Sequence, residues 1–140
     1  MTRAVLVLDT SALVAVFREE HDAEIYWRQM GAGPKVVMPP SVYLECVMAL
    51  RRFKGSRTWL DAAIEALEIA VPSLDEKQAR LAADAFERYG RGSGHAARLN
   101  FGDCLAYAAA KSLDAPLLFK GDDFRHTDIM AAGSQSEWGS

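Results

Sequence analysis

The sequence has little of what several protein classes require. Two cysteines and three histidines in 140 residues are too few for a disulfide framework and form no zinc-ligand spacing. No apolar run reaches the ~18 residues that a membrane-spanning helix needs, and the first residues show no signal-peptide pattern. We therefore expect a cytoplasmic protein that makes no membrane contact, with reduced and buried thiols at Cys46 and Cys104.

Neither sign of charge dominates the chain. It has 16 basic and 19 acidic residues, a net charge of −3, which argues against a strongly basic nucleic-acid coat protein but not against a nuclease. If four of the acids formed a metal cluster, the rest of the molecule would be close to neutral. The local arrangement of charge is therefore more informative than the total.

Short apolar runs alternate with amphipathic segments along the chain. Strands are predicted at 4–8, 35–38, 69–72 and 116–119. Helices are predicted at 12–20, 21–30, 41–50, 58–67, 75–89 and 100–113. Because strands separated by helices pair in parallel, this order predicts an α/β fold with helices on both faces of a parallel sheet. We expect one domain over 1–130 and a flexible tail over 131–140.

Acidic side chains follow the first and the last predicted strand, or stand within apolar helices. Asp9 comes directly after the first strand, and Asp122 and Asp123 lie just beyond the last one. Glu45 and Asp103 each stand among apolar residues of a predicted helix. Since ligands of open parallel sheets bind beyond the carboxyl ends of the strands, we expect these acids to line one crevice.

Each acid taken alone also has a structural interpretation. Asp9 could cap the following helix, Asp103 could interact with a helix N-terminus, and Glu45 could face solvent. Asp122 and Asp123 could belong to an ordinary turn. Together, however, converging carboxylates would repel one another unless a cation neutralised them. Oxygen ligands without cysteine or histidine select Mg²⁺ or Mn²⁺, and such a site suits phosphoryl chemistry.

Five segments form an ordered set of motifs. They are VLDTSALVA at 7–15, PSVYLE at 40–45, YGRGSGHAA at 89–97, LNFGDC at 99–104 and LLFKGDDFRHTDI at 117–129. In this order they resemble the PIN-domain ribonucleases, specifically the VapC-type toxins of prokaryotic toxin–antitoxin pairs. The resemblance implies a three-layer α/β/α sandwich with a central parallel sheet of four to five strands. It also implies cleavage of RNA with Mg²⁺, or Mn²⁺, as cofactor.

The resemblance assigns the metal ligands residue by residue. Asp9 and Asp103 match the two best-defined ligands, and Glu45 matches a third acid that often works through water. The fourth acid matches either Asp122 or Asp123. We favour Asp123 because it directly precedes a phenylalanine, as the family's acid commonly does.

Other polar residues have supporting roles in this interpretation. Ser11 resembles the hydroxyl that orients the first aspartate, and Asn100 is a candidate for a supporting contact. Six cations near the acids could hold phosphates or could simply form a solvated surface. They are Arg91, His95, Arg98, Lys120, Arg125 and His126.

The resemblance also implies protein partners. These are a second copy of the chain, in a homodimer, and a small VapB-type antitoxin that wraps the helices and pushes an arginine or lysine toward the acids. Large aromatic side chains on the predicted helices exceed what one small core needs, so some of them are expected at interfaces. They are Phe17, Tyr26, Trp27, Phe53 and Trp59.

Two other function classes fit part of the pattern. A response-regulator receiver has acids near its first strand and a late lysine, which Lys120 would mimic, but it also needs an aspartate after a middle strand. Here the middle strands lead into prolines instead, at positions 39 and 72. A catalytically silent PIN-like binding module has no reason to keep all four acids. We therefore predict a metal-dependent endoribonuclease toxin, with a receiver-like or silent module as the alternative.

Overall fold

The computed structural model describes residues 3–133. Within this range the helices are α1 Thr10–Phe17, α2 Ala23–Gly31, α3 Pro40–Ala49, α4 Ser56–Ala66, α5 Glu76–Tyr89 and α6 Phe101–Ser112. The strands are β1 Val5–Leu8, β2 Lys35–Val37 and β3 Leu117–Leu118, and a 3-10 turn covers Asp123–His126. The helices are those predicted, with ends that differ by at most three residues.

The strands form one parallel sheet in the order β2-β1-β3. Val7 of the central strand pairs with Val37 on one side and with Leu117 on the other. Val7 and Leu8 are completely buried because helices cover both faces of the sheet. This double coverage explains why the strand is a continuous apolar run rather than an alternating one. The predicted three-layer α/β/α architecture is confirmed.

The sheet has fewer full strands than the four to five predicted. The segment around Ala70 joins β2 through a single bridge to Val37. Ala70 donates its N–H to the carbonyl of Val36 and accepts from the N–H of Met38. The next ladder bond would need an N–H at position 72, where proline has none, so the pairing stops there.

A second single bridge joins the sheet on its other side. Ala131 pairs with Leu117, and the N–H of Ala132 donates to the Leu117 carbonyl at 2.9 Å. These are the first residues of the segment that we expected to be a tail. The rest of that segment, residues 134–140, lies outside the described residues.

Small side chains on α6 position the helix against the sheet. Its buried face contains Ala106, Ala108, Ala109 and Ala110, and α6 contacts both β1 and β3. With so little side chain between helix and strands, the first turn of α6 lies close to the carboxyl end of β1. The two cysteines are buried free thiols, as predicted. No helix in residues 3–133 combines the length and apolar character needed to cross a bilayer.

Candidate functional site

Asp9 is the first residue after β1, and its side chain is buried at 7% exposure. Its Oδ2 accepts hydrogen bonds from the Ser11 N–H at 3.1 Å and the Ser11 hydroxyl at 2.6 Å, so Asp9 does cap α1. The Ser11 hydroxyl in turn accepts from the Lys120 N–H at 2.9 Å, which ties this site to the end of β3. Burial raises the pKa of Asp9 and is the largest effect. The Ser11 hydrogen bonds lower this pKa, and the charge of Glu45 raises it.

Glu45 extends from α3 into the space between α1 and α6. The Thr10 hydroxyl donates to its Oε1 at 2.9 Å. On the other side its carboxylate lies against the α-carbon of Gly102, where an added Cβ would fall 2.6 Å from Glu45 Cδ. Burial raises the pKa of Glu45 against the Thr10 hydrogen bond, and the charge of Asp103 raises it further. Glu45 is therefore held between two helices and is not a purely solvent-facing side chain.

Asp103 is the third residue of α6 and forms a capping box with Asn100. The Asn100 side chain accepts from the Asp103 N–H at 2.8 Å, and Asp103 Oδ2 accepts from the Asn100 N–H at 3.0 Å. Burial is the main cause that raises the pKa of Asp103 to about 6, and the charges of Asp9 and Asp123 add to it, whereas Arg91 lowers it. Asp103 therefore caps α6, and its role in an acidic metal site stays a prediction.

Asp122 and Asp123 are both exposed in the turn after β3. Asp122 Oδ1 lies 3.7 Å from Arg125 Nη1, with its side chain 80% exposed. Asp123 is close enough to Asp103 for its charge to raise the pKa of that carboxyl. This difference favours Asp123 as the fourth acid, and the assignment stays a prediction.

The donor set fits a hard divalent cation. Asp9, Glu45 and Asp103 all have raised pKa values, in part because of one another's charge, and a bound cation would relieve that repulsion. Across residues 3–133, no three acidic, cysteine or histidine side chains are arranged to ligate one ion together. Mg²⁺ commonly takes one or two carboxylates and keeps several waters. Direct ligation by a pair of these acids, with the others acting through water, therefore suits the arrangement.

Two of the predicted phosphate-binding cations have protein partners. Lys120 Nζ is bonded to Glu20 at 2.7 Å and to Asp22 at 3.1 Å. Arg125 pairs with the exposed Asp122 in the same turn. These contacts make Lys120 and Arg125 weaker candidates for holding RNA.

The glycine-rich loop after α5 is closed by its own hydrogen bonds. The Arg91 N–H donates to the carbonyl of Leu99 at 3.0 Å. His95 Nδ1 accepts from the Ala97 N–H at 3.0 Å, and its ring packs edge-on against Tyr89 with centroids 4.9 Å apart. His95 therefore shapes the loop, whereas the exposed Arg91 lies near enough to Asp103 to affect its pKa.

Two further residues at the site were not expected from the sequence. Thr10 looks like an ordinary helix-start residue, yet it holds the Glu45 carboxylate. Gly102 stands in the first turn of a helix, where glycine is unfavourable, and it leaves room for that same carboxylate. A glycine inside a helical pattern often marks such a close approach, and this signal could have indicated its role.

Comparison with known proteins agrees with this architecture. The PIN domain family model matches residues 6–130. Ribonuclease VapC28 of Mycobacterium tuberculosis is 43% identical over 129 residues, which cover 91% of this chain and 97% of that protein. Ribonuclease VapC of Mycolicibacterium smegmatis is also 43% identical over 129 residues, covering 90% of this chain and 98% of that protein.

Solved structures share the fold at lower sequence identity. VapC20 of Mycobacterium tuberculosis, named as a sarcin-ricin loop cleaving toxin, superposes with a TM-score of 0.67 at 18% identity, covering 89% of this chain and 96% of that one. VapBC2 from Rickettsia felis, bound to a DNA fragment from its promoter, superposes with a TM-score of 0.67 at 13% identity, covering 91% and 96%. The chain therefore belongs to the PIN domain family and, within it, to the VapC ribonucleases.

Proposed function

We propose that this chain is a divalent-metal-dependent endoribonuclease and the toxin of a toxin–antitoxin pair. One observation carries the proposal. The end of β1, the middle of α3 and the first turn of α6 bring Asp9, Glu45 and Asp103 close enough for their charges to raise one another's pKa. This occurs in a chain that is 43% identical to proteins named as ribonucleases.

We assign the four acids two different roles, as the family resemblance implies. Asp9 and Asp103 would hold Mg²⁺ or Mn²⁺, and Glu45 and Asp123 would accept hydrogen bonds from water at the same place. When bound, the metal supplies a nucleophilic water at neutral pH and neutralises charge that develops on the phosphate. Ser11 fixes the orientation of the Asp9 carboxylate, and Thr10 fixes that of Glu45. Both positioning contacts come from the first turn of α1.

A VapB-type antitoxin is the proposed protein partner, together with a second copy of the chain. Three of the aromatic residues expected at interfaces instead pack on one another, since Phe17 lies 5.6 Å from Phe53 and 5.1 Å from Trp59 between ring centroids. Trp27 and Ile25 on α2 remain 42% and 52% exposed. The exposed face of α2 is therefore available to the antitoxin.

The receiver-like alternative loses support from Lys120. A receiver lysine has to reach the phosphorylated aspartate, but Lys120 is paired with Glu20 and Asp22, which lie between α1 and α2. The presence of Asp9, Glu45 and Asp103 close to one another likewise disfavours a silent binding module.

Incubation of the purified protein with a mixed RNA pool tests the proposal. Parallel reactions contain Mg²⁺, Mn²⁺ or EDTA, and the new RNA ends are mapped by sequencing. We expect defined internal cleavage sites that appear with a divalent metal and vanish with EDTA. Absence of cleavage with both metals, or covalent labelling of the protein by a small acyl phosphate, would overturn the proposal.

A further inference from the structure

A cavity of about 570 Å³ opens beside the acidic site on the side of α3. Its lining includes the partly buried Thr10 and Glu45 and two exposed arginines. The lining residues are Thr10, Glu45, Met48, Ala49, Arg51 and Arg52. The cavity is thus continuous with the hydrogen bond that positions Glu45.

Helix geometry explains why these residues share one surface. Glu45, Met48 and Ala49 are spaced three and four residues apart, so their side chains lie on the same face of α3. The helix ends at Ala49, and the following turn brings Arg51 and Arg52 to the same cavity. The result is a groove whose lining combines one carboxylate with two cations.

The side chains of Arg51 and Arg52 have no acidic partner among the described residues. Both are exposed, and neither forms an ion pair with any acid in residues 3–133. The guanidinium of Arg52 lies 5.0 Å from the centroid of the Phe53 ring, which holds its planar head in place. By contrast, Lys120 and Arg125 are paired with acids.

Charge complementarity points to a polyanion in this groove. The acids would repel the phosphates on either side of a bond to be cut, so strand binding needs cations nearby. Arginine binds phosphate through a planar fork of donors. Met48, which is 56% exposed, adds an apolar surface for a base or a ribose. We propose that Arg51 and Arg52 hold the phosphodiester backbone of single-stranded RNA next to the cleavage site.

This inference rests on the proposed ribonuclease function, and a binding assay tests it separately from cleavage. The affinity for a fluorescent single-stranded RNA is measured in EDTA at increasing KCl. The proteins compared are the wild type and Arg51→Gln/Arg52→Gln. A control variant, Lys77→Gln/Arg80→Gln, removes the same charge from the exposed face of α5. Each lost phosphate contact reduces the slope of log affinity against log salt by about 0.7 on a single strand.

We expect the arginine variant to lose about 1.4 of slope, with no change in the control. Arg51→Lys/Arg52→Lys keeps both charges and should keep the slope, which separates charge from folding. With Mg²⁺, the RNA concentration for half-maximal single-turnover cleavage should rise while the maximal rate stays unchanged.

An unchanged slope overturns the inference, and so does a wild type that binds no RNA. If the arginine variant keeps the wild-type salt slope for RNA but loses binding to polyglutamate, the arginines bind an acidic peptide instead. A wild type that binds RNA through the arginines but never cleaves it would overturn only the proposed function.

Discussion

The α-carbon of Gly102 lies against the carboxylate of Glu45, so any side chain at position 102 would collide with that carboxylate where it stands. The Thr10 hydroxyl holds the same carboxylate from α1. Three helices thus determine where Glu45 stands, although only one of them carries it. Asp103 follows Gly102 directly, so the close approach also determines how near the two acids come.

Gly102→Ala should impair cleavage and leave the fold intact. The new methyl group would displace the Glu45 carboxylate, which ends a flexible side chain and can swing away at little cost in stability. A displacement of about 1 Å in such a site can cost about 10²-fold in rate. Single-turnover cleavage and thermal unfolding measure the two effects.

Gly31→Ala is the matched control for this substitution. A methyl group at Gly31 has no atom within 4 Å to meet. Its rate should equal that of the wild type. If Gly102→Ala cleaves as fast as this control, the packing of Glu45 against α6 has no role in catalysis.

Ser11→Ala should lower both stability and activity. The Ser11 hydroxyl donates to Asp9 and accepts from the Lys120 N–H, so its removal takes the acceptor from that N–H and leaves Asp9 Oδ2 with only the Ser11 N–H. Such a loss costs about 1–3 kcal/mol of unfolding free energy, which urea titration measures. Ser112→Ala is the control, because its hydroxyl bonds only a carbonyl within α6. Equal losses in the two variants would remove the special role of Ser11.

The sequence predicted those parts of the site that depend on local pattern. Asp9 follows an apolar strand, and Asp103 lies in the first turn of a helix that Asn100 caps, so both could be located by motif and period. The Thr10–Glu45 bond joins residues 35 positions apart, and the Lys120–Glu20 pair joins residues 100 positions apart. Tertiary packing creates such contacts, and no local period reports them.

Strand number was beyond prediction for a related reason. The apolar run at 69–71 has the composition of a strand, yet it makes only one bridge. Whether a segment continues a ladder depends on the N–H groups that face its neighbour. Pro72 removes one of these groups, and Pro39 and Pro40 follow on the partner strand. Apolar pattern alone does not contain this pairing information.

Asp123→Asn should reduce cleavage far more than Asp122→Asn. The charge of Asp123 acts on Asp103, whereas Asp122 is exposed and pairs with Arg125. The loss should appear in the chemical step and only weakly in RNA affinity. Single-turnover rates across a metal titration compare the two variants. The reverse order would make Asp122 the fourth acid, and equal losses would mean that the pair acts jointly.

The metal-free protein should become less stable as the pH rises from about 4 to about 6. Folding raises the pKa of Asp103 from the ordinary 3.8 to about 6, so between these values the folded state binds a proton that the unfolded state has lost. Asp103→Asn removes this titration. In EDTA, the Tm of Asp103→Asn minus the Tm of the wild type should therefore increase as the pH rises. At pH 7 the variant should have the higher Tm. A Tm difference that is independent of pH would show that Asp103 is not held in this environment.

Single-turnover cleavage of one mapped RNA by the wild type and by Asp9→Asn, at saturating Mn²⁺, tests the central claim most directly. Asp84→Asn, at an exposed position on α5, is the control for loss of one negative charge. Several kcal/mol of transition-state stabilisation would be lost with the metal site, which corresponds to more than about 10²-fold in rate. We predict that loss for a folded Asp9→Asn and a wild-type rate for Asp84→Asn. A folded Asp9→Asn that cleaves at the wild-type rate would contradict it.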